Sequence, residues 1–446
     1  MAKIFRPSSA KRNKSRRPRF IEARIDSIDH QGQGVVSSHQ PVVFTTGGLP
    51  GEQCQIAISD QKKHVWFGHI KHVESPSKHR VEAFCPHSAA CGGCQLDYTV
   101  PTDMREWRRQ AITQLLSKVA GIEVTGWGAD IYAEPLGYRR KARLAIDARQ
   151  AGDIRLGYRQ QGSNQVIAIA ECQVLTPQLQ KLIAPLQHWI KSCNQARYLG
   201  HITLLEGATA ILVQVKTTRQ LSDSVIDTLR EFGEQQQVVV ALDNKLGELE
   251  FVSGSADMLS YQPHAGIEVT IGANDFVQVN HQVNQQMVAA AIQWLEDQQA
   301  NQVLDLFCGT GNFSLSLAKR GFTVTGVEGV DGMVERAAAS AEANALQQCT
   351  FVQKDLLNPA SVTELLKKDY DAVLLDPSRE GAKEVCQQMH AQRQPNIVYV
   401  SCNPASFARD AKLLIDRGYQ LNNIRLVEMF AYTKHTELMA SFTAQK

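Results

Sequence analysis

From Ile267 onward, strand-length apolar runs alternate with helical stretches: VLDLF, TVTGVE, CTFVQKD, YDAVLLD and NIVYVS, most of them ending on a polar or acidic residue. Near-continuous apolar strands need burial on both faces, which a parallel sheet covered by helices provides. This pattern predicts an α/β region over 267–446, and sheets of that kind bind ligands at the carboxyl ends of their strands.

The first of these strands runs into Asp305-Leu-Phe-Cys-Gly309-Thr-Gly311-Asn312. Two glycines at such a turn let backbone approach a ligand closely. Glu328 ends the next run nineteen residues after Gly309, where a carboxylate can accept from ribose hydroxyls; Asp355 and Asp376 follow at the next two strand ends. A nicotinamide fingerprint would place a third glycine near Ser314, and none is there.

VYVSCNPASF puts Cys402 on a strand's exit turn. A free cysteine is usually buried filler, so two readings stand side by side, filler and nucleophile. The terminal EMFAYTKHTELMASF holds His435 and Glu437, which on a strand would face the same side.

Three of the ten cysteines crowd into CPHSAACGGC, as Cys85, Cys91 and Cys94, and Glu171-Cys172-Gln173 offers a fourth. Gly92-Gly93 lets the Cys91 and Cys94 sulfurs converge. Four thiolates suit a zinc ion or an iron–sulfur cluster, and spacing does not choose between them. The chain shows no secretory signal core, and such crowding points to metal or catalytic chemistry in a reducing compartment, hence a cytoplasmic location.

No apolar run approaches a membrane span. Eight basic residues and no acid fall within the first twenty positions, although net charge is only +2; a local basic arm on a slightly acidic body suggests a nucleic-acid partner. The segments FIEARIDSID, GQGVVSS, PVVFTT, EQCQIAIS and VWFGHIKHV read as five short strands of a small barrel, OB-like or SH3-like. The expected organisation is a basic arm at 1–19, a barrel at 20–77, an α+β central region at 78–266 with a helix from Pro101 to Ala120, and the α/β region at 267–446. Arg139, Arg140, Lys141 and Arg143 read as phosphate contacts or as a solvated strand face, and Phe276 as a stacking ring or core.

DLFCGTGNFSLSLA, followed by VEG and QKD, resembles class I (Rossmann-like) S-adenosylmethionine-dependent methyltransferases. SCNP, the DPSR turn at Asp376–Arg379 and the terminal HTEL together resemble RNA uracil-5-methyltransferases. CPHSAACGGCQLD with a distant ECQVL is similar to the 4Fe–4S segment of the bacterial 23S ribosomal RNA members, which also carry an N-terminal OB-fold barrel called TRAM. The resemblance implies Cys402 as nucleophile and Glu437 as proton-abstracting base. It further implies that Gln278, Phe307, Asn312, Glu328, Asp355 and Asp376 hold S-adenosylmethionine, Asp376 also lining the acceptor pocket. Cys85, Cys91, Cys94 and Cys172 would bind one 4Fe–4S cluster, and His435 would position the tail. The implied reaction forms 5-methyluridine in a single-stranded or looped segment of 23S ribosomal RNA, with no membrane and no obligate protein partner. Ser378 departs from the second proline often found in this turn. Cys54, Cys193, Cys349 and Cys386 match no site, and Cys308 serves the glycine turn. The rivals are a transfer RNA T-loop enzyme, an iron–sulfur electron carrier, and an RNA-binding assembly factor; the last two leave Cys402 and Glu437 without a purpose.

Overall fold

The computed structural model describes residues 19–150, 152–244 and 249–445. The basic arm lies, but for Arg19, outside the described residues. The chain divides into two compact units, Met1–Arg80 and Val81–Lys446.

The first unit is one sheet of β1 (Arg19–Arg24), β2 (Ser27–Ile28), β3 (Gly34–Val36), β4 (Val42–Thr46), β5 (Gln53–Gln61) and β6 (Val65–Ser75), in the order β1-β5-β6-β4-β3-β2. FIEARIDSID bends at Ile25-Asp26, so its two halves pair at opposite edges of the sheet and close it on itself. The bend is held because Ile25 N–H donates to Glu52 while Asp26 N–H donates to Val35, both at 2.9 Å. Only β4 and β6 run parallel; every other pair is antiparallel. Ile25, Val36, Val43, Cys54 and Ile56 fill the interior, which makes Cys54 a core thiol.

The second unit holds two seven-stranded sheets. One contains β7 (Lys141–Asp147), β8 (Arg155–Arg159), β9 (Val166–Ala168), β10 (Leu199–Glu206), β11 (Ile211–Thr217), β12 (Val239–Asp243) and β13 (Leu249–Ser253), ordered β13-β12-β11-β10-β7-β8-β9. Helices Ile183–Ser192 and Asp223–Gln236 bury their apolar stripes against it. A short hairpin, β14 (Ser260–Tyr261) with β15 (Val269–Thr270), leads to the other sheet.

That sheet contains β16 (Gln302–Leu306), β17 (Thr323–Glu328), β18 (Cys349–Gln353), β19 (Ala372–Leu375), β20 (Asn396–Ser401), β21 (Tyr419–Val427) and β22 (Glu437–Ala444), ordered β18-β17-β16-β19-β20-β22-β21. The five runs read from the sequence are its five parallel strands. β22 runs antiparallel to both neighbours, so its first residue stands at the edge where β20 ends. Strand order reverses between β16 and β19, which opens a crevice at that same edge.

The helix Pro101–Ala120 starts on a proline and stops at Gly121 in the left-handed region. Although it precedes β7 in the chain, its Ile112 and Leu116 lie in one core cluster with Phe407, Ala411 and Phe442 of the last sheet. Among the described residues no helix is long and apolar enough to cross a membrane.

Candidate active site

β16 delivers the glycine turn. Phe307 takes a positive φ of 65°, uncommon for a residue with a side chain, and a Cβ placed on Gly309 would meet nothing within 4 Å. The loop therefore presents open backbone. Gly311 has φ +93°, and a Cβ there would fall 2.9 Å from Leu315, so this position requires glycine. Glu328, at the end of β17, accepts from Gly309 N–H at 3.2 Å and from Gly329 and Val330 N–H at 2.8 and 3.0 Å. Its carboxylate is thereby fixed against the loop.

Asn312 is paired side chain to side chain with Asn284, at 2.9 and 3.1 Å, and the Tyr261 hydroxyl reaches it at 3.5 Å. Gln278 is buried, and its carbonyl accepts from Arg140 Nε at 2.9 Å. Asp355 lies two residues past β18, exposed, with Oδ1 accepting from Leu357 N–H. Asp305, on β16 just ahead of the glycine turn, is fully buried. Burial, opposed by the Ser314 hydroxyl bond and reinforced by Asp376 and Glu328, pushes its carboxyl up to about 7.

The acceptor side forms where β19, β20 and β22 end together. Ser401 is paired with Leu438, so Cys402 and Glu437 leave adjacent antiparallel strands at the same height. Cys402 is half-buried, and burial, then the charges of Glu437 and Asp376, raise its thiol to about 11, with Arg379 pulling the other way. Glu437 is buried; burial and then Asp376 raise it to about 8, against Arg379. Burial alone raises Asp376 to about 7. Three acidic groups that resist ionisation thus share one edge with one arginine.

Local contacts hold this edge. Asn403 caps helix Pro404–Asp416 by accepting from Ala405 N–H at 3.1 Å, while its Nδ2 donates to the Arg379 carbonyl at 2.9 Å. Gly381, with φ +80°, lies so near Asp410 that a Cβ would come within 2.3 Å of its carboxylate. Asp410 in turn accepts from Ala382 N–H and the Tyr399 hydroxyl, at 2.7 and 2.8 Å. Ser378 accepts the turn-closing bond from Gly381 N–H with its carbonyl, leaving its side chain exposed.

Sequence reasoning placed His435 and Glu437 on one strand. The structure corrects this: β22 begins at Glu437, and 430–436 turn, with Tyr432 at φ +62°. Long-range bonds impose the turn. The Ala431 carbonyl accepts from the Tyr138 hydroxyl at 3.2 Å and the Thr433 carbonyl from Arg108 at 2.6 Å. Gln95 and Leu96 N–H both donate to the Tyr432 carbonyl, at 2.9 and 3.0 Å.

The segment that grips Tyr432 is the continuation of the cysteine motif. Cys85, Cys91, Cys94 and Cys172 line a single cavity, with Arg139 and Thr433 beside them. Cys91 bridges to Gln160, and a Cβ on Gly92 would strike the Arg159 carbonyl at 2.9 Å, so the loop lies flat on β8. Among the described residues no three His, Cys, Asp or Glu side chains gather closely enough to share one metal ion.

Of the basic strand, only Arg143 is exposed. Arg140 is buried, and Lys141 donates to the Asp275 carbonyl at 2.6 Å, so neither belongs to a solvated face. Phe276 is 65% exposed and is not core.

The tRNA (Uracil-5-)-methyltransferase family pattern matches residues 137–443, which takes in the glycine turn, the SCNP turn and Glu437. The chain belongs to the uracil-5-methyltransferase family. The 23S rRNA (uracil(1939)-C(5))-methyltransferase RlmD of Alteromonas naphthalenivorans is 40% identical over 95% of this chain and 89% of its own. The protein of that name from Shewanella sp. (strain ANA-3) is 38% identical with both chains covered in full. Among solved structures, Pyrococcus abyssi tRNA (uracil-54, C5)-methyltransferase in complex with S-adenosyl-L-homocysteine superimposes with a TM-score of 0.71. At 21% identity over 95% of this chain and all of that one, it shows the α/β methyltransferase fold.

Proposed function

We propose that this uracil-5-methyltransferase places a methyl group on carbon 5 of a uridine in 23S ribosomal RNA, by way of a covalent adduct with Cys402. The observation that carries the reading is the pairing of Ser401 with Leu438, which sets a thiol and a carboxyl side by side at the sheet edge.

Carbon 5 of uracil is a poor nucleophile. The Cys402 thiolate adds to carbon 6, and the ring becomes an enolate reactive at carbon 5. S-adenosylmethionine, when bound, supplies the electrophilic methyl. Glu437 then accepts the proton from carbon 5, and the bond to sulfur breaks to release the thiolate. Arg379 steadies the anionic forms, since its charge favours ionisation of both Cys402 and Glu437. The open backbone at Gly309, the fixed Glu328 carboxylate and Asn312 suit an adenosyl ligand, with Gln278, Phe307, Asp355 and Asp376 completing its walls.

The four cysteines on one cavity fit a 4Fe–4S cluster, which binds each thiolate to a different iron and so needs no convergence on one point. A closed sheet of five chain segments with one parallel pair supports an OB-type TRAM barrel in the first unit. The basic arm and Arg143 would contact phosphate, and Phe276 would stack on RNA, on which a base is extruded more cheaply from a loop than from a duplex. A ribosomal RNA substrate implies a cytoplasmic enzyme.

Mapping 5-methyluridine in ribosomal and transfer RNA, from cells with and without this protein, tests the substrate. Loss of one 23S site is expected; loss only in the T-loop would overturn the ribosomal reading. Cys402→Ala is expected to abolish covalent trapping of RNA carrying 5-fluorouridine, and trapping that persists would end the adduct mechanism.

A further inference from the structure

Residues 271–279 join β15 to helix His281–Asp297 and lie in neither helix nor strand, so no ladder of backbone bonds holds them. Asp275, Val277 and Gln278 are buried there, while Phe276 between them is 65% exposed. Side chains from elsewhere supply the missing hold. Asn274 Oδ1 accepts from Gln214 Nε2 and the Gln278 carbonyl from Arg140 Nε, both at 2.9 Å. Asp275 is tied hardest. Its Oδ2 accepts from Gly272 N–H at 2.8 Å, and its carbonyl takes the Lys141 ammonium at 2.6 Å. The Arg336 guanidinium donates to both of its carboxylate oxygens, Nε at 2.7 Å and Nη2 at 2.6 Å.

Arg336 belongs to helix Asp331–Ala343, the helix that follows β17 and the Glu328 loop. Arg336, Ser340 and Asn344 are four residues apart and so share one face. All three bind the chain that leads to Phe276. Ser340 Oγ accepts from Thr270 N–H at 3.1 Å, and Asn344 pairs with the Glu268 N–H and carbonyl at 3.2 and 2.7 Å. At the front of this face stands the charged, two-pronged contact, the strongest and most directional of the three. The Asp275 side chain is only 7% exposed, so its carboxylate relies on the guanidinium in place of water.

We propose that Arg336 is a positioning residue for both substrates. Through Asp275 it sets the neighbouring Phe276 ring against RNA, and Gln278, three residues on, against S-adenosylmethionine. The proposal rests on the reading that these are the substrates. Its helix starts from the loop that Glu328 holds, so a single ion pair ties the ribose end of the cofactor site to the ring that faces RNA. A planar fork fixes the carboxylate in orientation as well as distance, which an ammonium does not.

The test measures two affinities of the full chain, one for an RNA hairpin that carries the target uridine and one for S-adenosylhomocysteine. Phe276→Ala is expected to weaken RNA binding by about tenfold, the worth of one stacked base. Arg336→Met should cost a similar factor and weaken S-adenosylhomocysteine several-fold, and Arg336→Lys, which keeps the charge, should recover part of both losses. Phe276→Ala combined with Arg336→Met is expected to bind RNA within about twofold of Phe276→Ala alone, because the two residues act as a unit. Asn344→Ala, which loosens the far end of the same helix face, should leave both affinities within about twofold. RNA losses that multiply in full, or equal losses in Asn344→Ala, would overturn the positioning role and reduce Arg336 to a structural tie. An S-adenosylhomocysteine affinity unchanged in Arg336→Met would overturn the link to the cofactor. Trapping of 5-fluorouridine RNA on Cys402, measured in parallel, reports the catalytic reading separately. Trapping intact with losses that multiply rejects the positioning role alone, and trapping absent with losses that do not multiply rejects the adduct alone.

Discussion

Arg379 and His435 meet with 3.0 Å between Nη2 and Nδ1. Burial, then the charges of Arg379 and Lys434, push the His435 ring down to about 4, so it is neutral at physiological pH. A neutral ring accepts from the guanidinium through Nδ1 and carries its proton on Nε2, so the contact is a charge-assisted hydrogen bond. The arginine that favours both the thiolate and the carboxylate is therefore held from the tail strand's approach, two residues before Glu437.

This arrangement sets the reactivity of Cys402. Removing the Glu437 charge lowers the thiol's pKa from about 11, and removing Arg379 raises it further. Alkylation of Cys402 by iodoacetamide, followed by peptide mass spectrometry at pH 9, is expected to run several-fold faster in Glu437→Gln and several-fold slower in Arg379→Met. Identical pH profiles in all three proteins would show that the charges do not reach the sulfur.

Glu437→Gln also separates adduct formation from release. The variant is expected to lose 10²-fold or more in turnover, the usual worth of a positioned base. With natural uridine RNA it should accumulate a methylated protein–RNA adduct on denaturing gels. A variant that turns over normally would move the proton to another group.

Stability should respond to the same carboxyl. Its folded value of about 8 stands above the ordinary 4.5, so the folded state holds this proton more tightly than the unfolded chain. The stabilisation is complete below about 4.5 and is lost as pH rises through about 8. Glu437→Gln is therefore expected to stabilise the fold at pH 9 relative to wild type, by on the order of 2–4 kcal/mol and so with a higher Tm, and to change little at pH 4.5. Equal Tm shifts at both pH values would contradict the cost that burial sets on ionising this carboxyl.

The cysteine segment should act on the turn that leads to Glu437. Protein made anaerobically is expected to be brown, with absorbance near 400 nm that Cys94→Ser removes. In that variant, amide hydrogen exchange across 429–436 should quicken while S-adenosylmethionine affinity stays within about twofold, since Gln95 and Leu96 grip Tyr432 and not the glycine loop. Colourless wild type with stoichiometric zinc would replace the cluster; unchanged exchange would remove the link to the turn.

Much of this was legible in the sequence because it depends on local pattern. The five parallel strands follow from apolar runs, and helix Pro101–Ala120 from a proline at its start and Gly121 past its end. What escaped depends on distant partners. Nothing in RRKARLAI tells that Arg140 is buried behind Gln278 while Arg143 faces solvent, because two-residue alternation does not reveal a charge anchored to a carbonyl 138 residues away. His435 fell outside the strand because Tyr138, Arg108 and Gln95, all from the first third of the chain, bend its approach. Asp305 carried no signal of its exceptional burial beyond its place in the glycine motif.

Those same tethers restrict how this chemistry can be transplanted. The carbonyls of Ala431, Tyr432 and Thr433 are each held by a residue near or before position 138, and Glu428 is paired with Arg105 at 2.7 Å. The last 180 residues carry the nucleophile, the base and the glycine loop, yet they lack the struts that aim the base. Grafting that portion onto another RNA-recognising platform would transfer the ingredients without their alignment, so the smallest portable catalyst begins upstream of Gln95.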